Sequence, residues 1–186
     1  MMYEENNVFQ TVGLFPGQFE GIGGGMTLKM KNGQMFQLSV LYSAVKKERQ
    51  KPNRDRAQGN QLMHVNSDKS SSEKFELMSA VRDLCRTLDA FIFVVDASLE
   101  NNNGNDDLDG MSFAMVNERW SATYVPVLVL SCILDKSHTR IPCINVVGTL
   151  EMTKLNRPWQ AQSCVVQSLE GVSESIEWLV EQSQRR

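Results

Sequence analysis

The chain has 186 residues, of which 41% are apolar and 22% charged, enough to bury the core of one domain with tails. That composition excludes a disordered tail, a collagen-like fibre and a small disulfide-held knot. Lys and Arg number 19 against 22 Asp and Glu, and a formal charge of −3 advertises no wholesale affinity for nucleic acid or an anionic membrane.

The start, MMYEENNVFQ, lacks the basic and apolar regions of a secretory signal, and no apolar run is long enough to span a bilayer. Residues 1–20 read as an N-terminal remnant or linker. Residues 21–186 read as the domain. The first predicted elements form a hairpin. MTLKMKN sets Met26, Leu28 and Met30 against Thr27, Lys29 and Lys31, the alternation of a half-buried strand. Asn32-Gly33 is a strong hairpin turn signal, and MFQLSVLYS follows as a second strand. Gly23, Gly24 and Gly25 ahead of it suit a permissive entry or a bulge.

Residues 44–72 are polar and without period, which predicts a flexible or functional loop. KFELMSAVRDLCRTLD then carries a helical period through Phe75, Leu77, Met78, Val81, Leu84, Cys85 and Leu88. AFIFVVDAS reads as a strand covered on both faces. An Asn/Asp-rich loop over 99–110 leads to a short helix in MSFAMVNERWSA. YVPVLVLSCIL is a second doubly buried strand. Ile141-Pro142 opens a helix over CINVVGTLEM, with Pro in its first turn. WQAQSCVV makes a last strand, and GVSESIEWLVEQSQRR a closing helix with Val172, Ile176, Leu179 and Val180 inward. Strands alternating with helices define an α/β domain whose sheet is mostly parallel, with one antiparallel hairpin strand.

This order resembles a small GTPase, with helices on both faces of the sheet, that lacks its first strand and phosphate-loop helix. RPWQAQSCVVQSLEGVSESIEWLVEQ is similar to the end of ADP-ribosylation-factor GTPases. A closer resemblance rests on GQFEGIGGGMTLKMKNGQMFQLSVLYSAVKKER, VPVLVLSCI, RIPCINVV, NRPW and IEWLVEQ. Together these look like the C-terminal half of the F-box only protein 4 family. The resemblance implies an atypical GTPase-like domain that binds substrates for a Skp–cullin–F-box ubiquitin ligase.

Nucleotide hydrolysis needs a G-x-x-x-x-G-K-[ST] phosphate cradle, and no glycine of this chain begins one. Met26-Thr27 follows Gly25 where Lys-Ser/Thr would stand. The place of the γ-phosphate sensor reads LYSAVKKER, without Asp or Gly. The place of the guanine-reading N-K-x-D reads Ser131-Cys132-Ile133-Leu134, with Asp135 and Lys136 out of order. Ser163-Cys164-Val165 is a relic of the last base contact. No nucleotide, cofactor or metal is expected, and the chain is not expected to be an enzyme.

Other chemistry fares no better. His64 and His138 share no Cys/His spacing that would hold zinc. Cys85, Cys132, Cys143 and Cys164 form no C-x-x-C pair and read as reduced, mostly buried thiols of a cytoplasmic or nuclear protein. Cys132 or Cys143 near His138 would make a nucleophile pair; a packed thiol is the commoner outcome. Asp96 closes a strand, and a carboxylate capping the following loop accounts for it.

Two surface features remain. Residues 46–56 hold six basic and two acidic residues, whereas 100–109 hold four acidic and none basic. They are either two solvated loops or an oppositely charged pair across the sheet's carboxyl edge. In the helix from Ile141, Cys143, Ile144, Val146, Val147 and Leu150 wrap round most of the circumference. A stripe of Cys143 and Val147 is then either covered by insertions or docks a partner. The resemblance favours docking through Cys143, Ile144 and Val147, and implies a telomere repeat-binding factor and D-type cyclins as protein substrates. Val147 departs from the family's smaller alanine. A Skp-type adaptor would need an F-box, which is not read in these residues. The reading is a non-catalytic substrate-recognition domain. Its alternatives are a degenerate ADP-ribosylation-factor-like GTPase that still binds guanine nucleotide, and a truncated isoform that shields substrate.

Overall fold

A computed structural model of the chain describes residues 9–16, 22–41, 63–65, 75–99, 116 and 119–185. The chain divides into two compact units, Met1–Met78 and Ser79–Arg186.

In the first unit, Asn32 and Gly33 turn the chain as expected. Gly33 takes φ +87°, and round a three-residue loop Met30 N donates to Gln34 O at 2.8 Å while Gly33 N donates to Met30 O at 3.0 Å. The expected two-residue turn is thus one residue longer, because the left-handed glycine suits a bulged loop as well as a tight one. The strands it joins are β2 (Ile22–Met30) and β3 (Met35–Leu41). A strand in the stretch read as a remnant, β1 (Phe9–Phe15), pairs antiparallel with the other side of β2, giving a meander in the order β1-β2-β3. Leu28 pairs with Phe36, Met26 with Leu38 and Phe9 with Met30, and the Phe9 ring meets Phe36 edge-on at 6.0 Å. The bulge expected at the glycines is there, between Ile22 and Gly25. Gly25 has no room for a Cβ, which would overlap the Phe15 ring and lie 2.6 Å from the Leu38 carbonyl oxygen.

Within the polar stretch, β4 (Met63–Val65) pairs antiparallel with β5 (Phe75–Leu77). Phe75 and Leu77 were expected in a helix. Their i, i+2 spacing fits a strand, and β4 supplies the hydrogen bonds that settle the choice.

The second unit opens with α1 (Ser79–Cys85), which buries Val81 and Cys85 one turn apart. The Thr87 hydroxyl donates to the Leu84 carbonyl at 2.8 Å and stops it. Next come β6 (Phe91–Asp96), β7 (Val127–Ile133) and β8 (Trp159–Val165), a parallel sheet in the order β6-β7-β8. Pro126 and Pro158 stand just before β7 and β8, where each needs only to accept: Phe91 N donates to Pro126 O and Val127 N to Pro158 O, both at 3.0 Å.

β7 is buried at every position but Cys132, as the central strand should be. β6 was expected to be covered on both faces, yet Val94 is 70% exposed. Its only strand partner among the described residues is β7, and a continuous apolar run does not distinguish a central strand from an edge.

The helix expected from Ile141 is α2 (Cys143–Thr149), with Pro142 as its N-cap. A 3-10 turn, Met152–Lys154, follows after Glu151 in the left-handed region. The closing helix, α3 (Val172–Ser183), turns Ser175, Ile176 and Leu179 inward. Of the helix expected over MSFAMVNERWSA, residues 119–121 form a turn and a bend instead. The single, mostly parallel sheet read from the sequence is therefore divided, among the described residues, into an antiparallel sheet, a two-stranded pair and a parallel sheet. No described helix is long and apolar enough to cross a membrane.

Candidate functional site

In open α/β sheets, ligands gather at the carboxyl ends of the strands. Here that edge carries one register row across all three strands: Asp96 on β6 pairs with Cys132 on β7, which pairs with Cys164 on β8.

Asp96 does what a loop-capping carboxylate does. Its Oδ1 accepts from the Ser98 backbone N–H at 2.9 Å and from the Ser98 hydroxyl at 2.7 Å. The loop after β7 folds back over the same edge. Ser98 bridges to Arg140, Leu99 N donates to Thr139 O at 3.0 Å, and Ile141 N donates to Ala97 O at 2.8 Å. Arg140 reaches across two strand ends, with Nη2 donating to Cys164 O at 2.9 Å and Nη1 to Ser131 O at 3.4 Å.

The residues in the place of a guanine-reading motif are engaged otherwise. Ser131, Cys132 and Ile133 are paired in β7, and the ladder runs on as Val166 N donates to Ile133 O and Gln167 N to Leu134 O. Asp135 Oδ1 accepts from Ser137 N at 2.8 Å, from the Ser137 hydroxyl, and faces His138 Nδ1 at 3.0 Å. Those bonds, first the Ser137 hydroxyl, hold its carboxyl down to about 2. Asp, Ser and His stand together, with Ser137 Oγ 3.5 Å from His138 Nδ1, but the hydroxyl proton is donated to the aspartate. A nucleophile needs the reverse order of bonds, so this is a turn held by a carboxylate. Lys136 meets Glu170 at 2.6 Å on the exposed side.

The cysteines differ sharply in environment. All four are free thiols. Burial pushes Cys85 up to about 11. The Cys132 thiol is lowered, chiefly by a hydrogen bond from Cys164 and also by Arg140, against burial and Asp96. Cys164 is correspondingly raised, by that bond to Cys132 first and by burial second. This pairing is invisible in sequence, where the two lie in separate segments.

On α2, the three residues expected to dock a partner separate. Ile144 is 72% exposed and Cys143 is half-buried, whereas Val147 is only 9% exposed. The outer stripe through Val147 is thus corrected: Val146, Val147 and Leu150 all face inward, and Ile144 is the apolar side chain left outside. The oppositely charged segments 46–56 and 100–109 lie outside the described residues. So does any geometry for Gly21 and the side chain of His64. No three His, Cys, Asp or Glu among the described residues stand where they would hold a metal.

The second unit is therefore an α/β domain whose sheet edge is closed by its own loop and whose candidate contact surface is the outside of a short helix. No protein-family profile matches the chain. Curated relatives do. It is 29% identical over 175 residues to F-box only protein 4 of Mus musculus, covering 92% of this chain and 46% of the relative. The Bos taurus and Homo sapiens proteins of the same name are 28% and 29% identical, again over 92% of this chain and 45% of theirs. The chain is thus similar to the F-box only protein 4 relatives that its motifs resemble, and it spans about half the length of the curated relatives it matches.

Proposed function

We propose that this chain is the substrate-recognition part of an F-box ubiquitin-ligase subunit, a non-catalytic pseudo-GTPase that holds a protein substrate while other subunits transfer ubiquitin. The observation that carries the reading is the match to F-box only protein 4 over 92% of the chain. The order β6-β7-β8 supports the GTPase-like part, since it is that of the last three strands of a small GTPase. The sheet edge supports the non-catalytic part, because Asp96, Arg140 and Asp135 are all spent on holding loops. Docking is through α2, with Ile144 as the exposed apolar contact and Cys143 beside it. Its partners in this reading are those the family suggests, a telomere repeat-binding factor and D-type cyclins, in the cytoplasm or nucleus. A Skp-type adaptor joins where an F-box precedes the domain.

The test is a binding titration of the purified chain against each of those two proteins, with Ile144→Asp and Cys143→Arg as variants. The expected result is saturable binding that either change weakens tenfold or more, while both variants keep a cooperative melt. Unchanged binding by both would remove α2 as the docking site. Loss of the melt in Cys143→Arg would mean that this side of the helix belongs to the core. A parallel titration with a fluorescent guanine nucleotide decides the other point: saturable micromolar binding would replace the pseudo-GTPase reading with a nucleotide-binding one.

A further inference from the structure

The register of β7 and β8 sets Cys132 and Cys164 side by side as Cα partners. Neighbouring strands lie about 4.8 Å apart, inside the roughly 4.4–6.8 Å over which a disulfide joins two Cα atoms. The two side chains also point to the same face, as register partners of parallel strands do, and the Cys164 thiol donates to the Gln162 carbonyl at 3.7 Å. Most buried cysteines are single, packed and inert. This pair is neither single nor equivalent, since Cys132 is half-buried while Cys164 is fully buried.

From this arrangement we infer that Cys132 and Cys164 form a two-electron redox site, oxidised by hydrogen peroxide to a cross-strand disulfide, with Cys132 as the attacking thiol. The inference rests on the strand register and does not depend on the family reading.

The neighbours assign the roles. The Arg140 guanidinium stands over the carbonyls of Ser131 and Cys164 and places positive charge beside the pair. With the hydrogen bond from Cys164 it favours thiolate at Cys132. The Asp96 carboxylate, next along the same register row, opposes this; it is itself engaged by Ser98. Cys143 adds the smallest of the influences on Cys164, and it too raises that thiol.

Chemically, the Cys132 thiolate attacks one peroxide oxygen, the O–O bond breaks and hydroxide leaves, giving a sulfenic acid. Cys164 then attacks that sulfur. The S–S bond forms, the S–O bond breaks, and hydroxide departs with the Cys164 proton as water. Peroxide is reduced and the two thiols are oxidised. Paired Cβ atoms of adjacent strands stand wider than the roughly 3.8 Å preferred in a disulfide, so the product is strained and yields readily to thiol reductants.

The experiment uses the full chain, reduced and native, titrated with hydrogen peroxide and read by intact mass and non-reducing peptide mapping. The expected result is a loss of two hydrogens per chain, mapped to a Cys132–Cys164 disulfide and reversed by dithiothreitol. A brief pulse of a thiol alkylator should label Cys132 about tenfold or more ahead of Cys85, following thiolate fraction. In Cys164→Ser, Cys132 should stop at the sulfenic acid and be captured by dimedone. Mapping on the unaltered chain needs no variant to fold. No loss of hydrogen, a bridge mapped to Cys143, or equal labelling of Cys132 and Cys85 would each overturn the assignment.

Discussion

Arg157 and Ser121 are joined twice: the arginine donates through Nη1 to the serine hydroxyl at 2.7 Å and through Nη2 to its carbonyl at 3.3 Å. The same guanidinium also donates to Val125 O at 3.2 Å and Val116 O at 2.6 Å. A side chain only 9% exposed thus ties the residue that introduces β8 to the turns that introduce β7. A planar fork with five N–H donors suits four acceptors in this way, and a lysine does not.

Arg157→Lys should therefore leave carbonyls unsatisfied in the interior. A destabilisation of about 2–4 kcal/mol is expected from breaking a buried charged network. Urea denaturation with an unchanged slope and a lower midpoint would confirm it. A shift within about 0.5 kcal/mol, the scale of an ordinary surface change, would show that water replaces those bonds.

Trp120 lies beneath two cations, the guanidiniums of Arg82 at 5.0 Å and Arg86 at 5.8 Å from its ring centroid. Both arginines come from α1 and its end, so the indole fixes that helix to the turn before β7. At about 0.5–1 kcal/mol for each exposed contact, Trp120→Ala should cost about 1–2 kcal/mol. A double-mutant cycle with Arg82→Ala separates the first contact, and zero coupling would leave the indole as packing alone.

Gly25→Val should destabilise the β1-β2-β3 sheet. The added side chain meets the Phe15 ring and the Leu38 carbonyl. Overpacking of this kind costs about 1–3 kcal/mol. Hydrogen exchange should quicken at the amides of β2 while those of β7 keep their protection.

Asp135 makes an acid-side prediction whose sign is fixed. Its folded pKa, about 2, lies below the usual carboxylate range, chiefly through the Ser137 hydroxyl. The bonds to the carboxylate therefore add stability that is present above the unfolded value, roughly 4, and is lost as pH falls through about 2. Asp135→Asn should flatten the dependence of stability on pH in that window and leave the neutral-to-basic side unaltered. An unchanged acid limb would place the dependence on other carboxylates.

On α2 a pair of substitutions separates core from surface. Val147→Asp puts a charge where the side chain is 9% exposed, and several kcal/mol of destabilisation are expected from about one buried, unpaired carboxylate. Ile144→Asp, at 72% exposed, should melt as the unaltered chain does. Equal melting of the two variants would mean that α2 is not held against the sheet.

Legibility in the sequence followed the range of the interactions involved. Asn32-Gly33 marks its own turn because glycine alone accepts the left-handed backbone cheaply. The alternation of β2, the apolar run of β7 and the helical period of α3 are likewise local signals, and all three elements form. β1 carried a weaker version of the same signal, Phe9 to Phe15 around a bulge between Thr11 and Gly13, where one extra residue breaks the alternation. Phe75 and Leu77 went to a strand because β4, ten and more residues back, offered it a partner.

The candidate site was legible only in its ingredients. From residues alone came the family resemblance, the missing phosphate cradle, the capping role of Asp96 and the apolar richness of α2. Which side of α2 stays outside was decided by packing: Val146, Val147 and Leu150 are buried while Ile144 is left in solvent. The division of the strands into separate sheets, the reach of Arg157 to Ser121, and the row Asp96, Cys132, Cys164 were decided in the same way. Turns and periods are written in neighbouring residues, because steric limits and side-chain alternation act over a few positions. Strand register and buried hydrogen bonds join residues far apart in the chain, and only the folded backbone brings them within bonding distance.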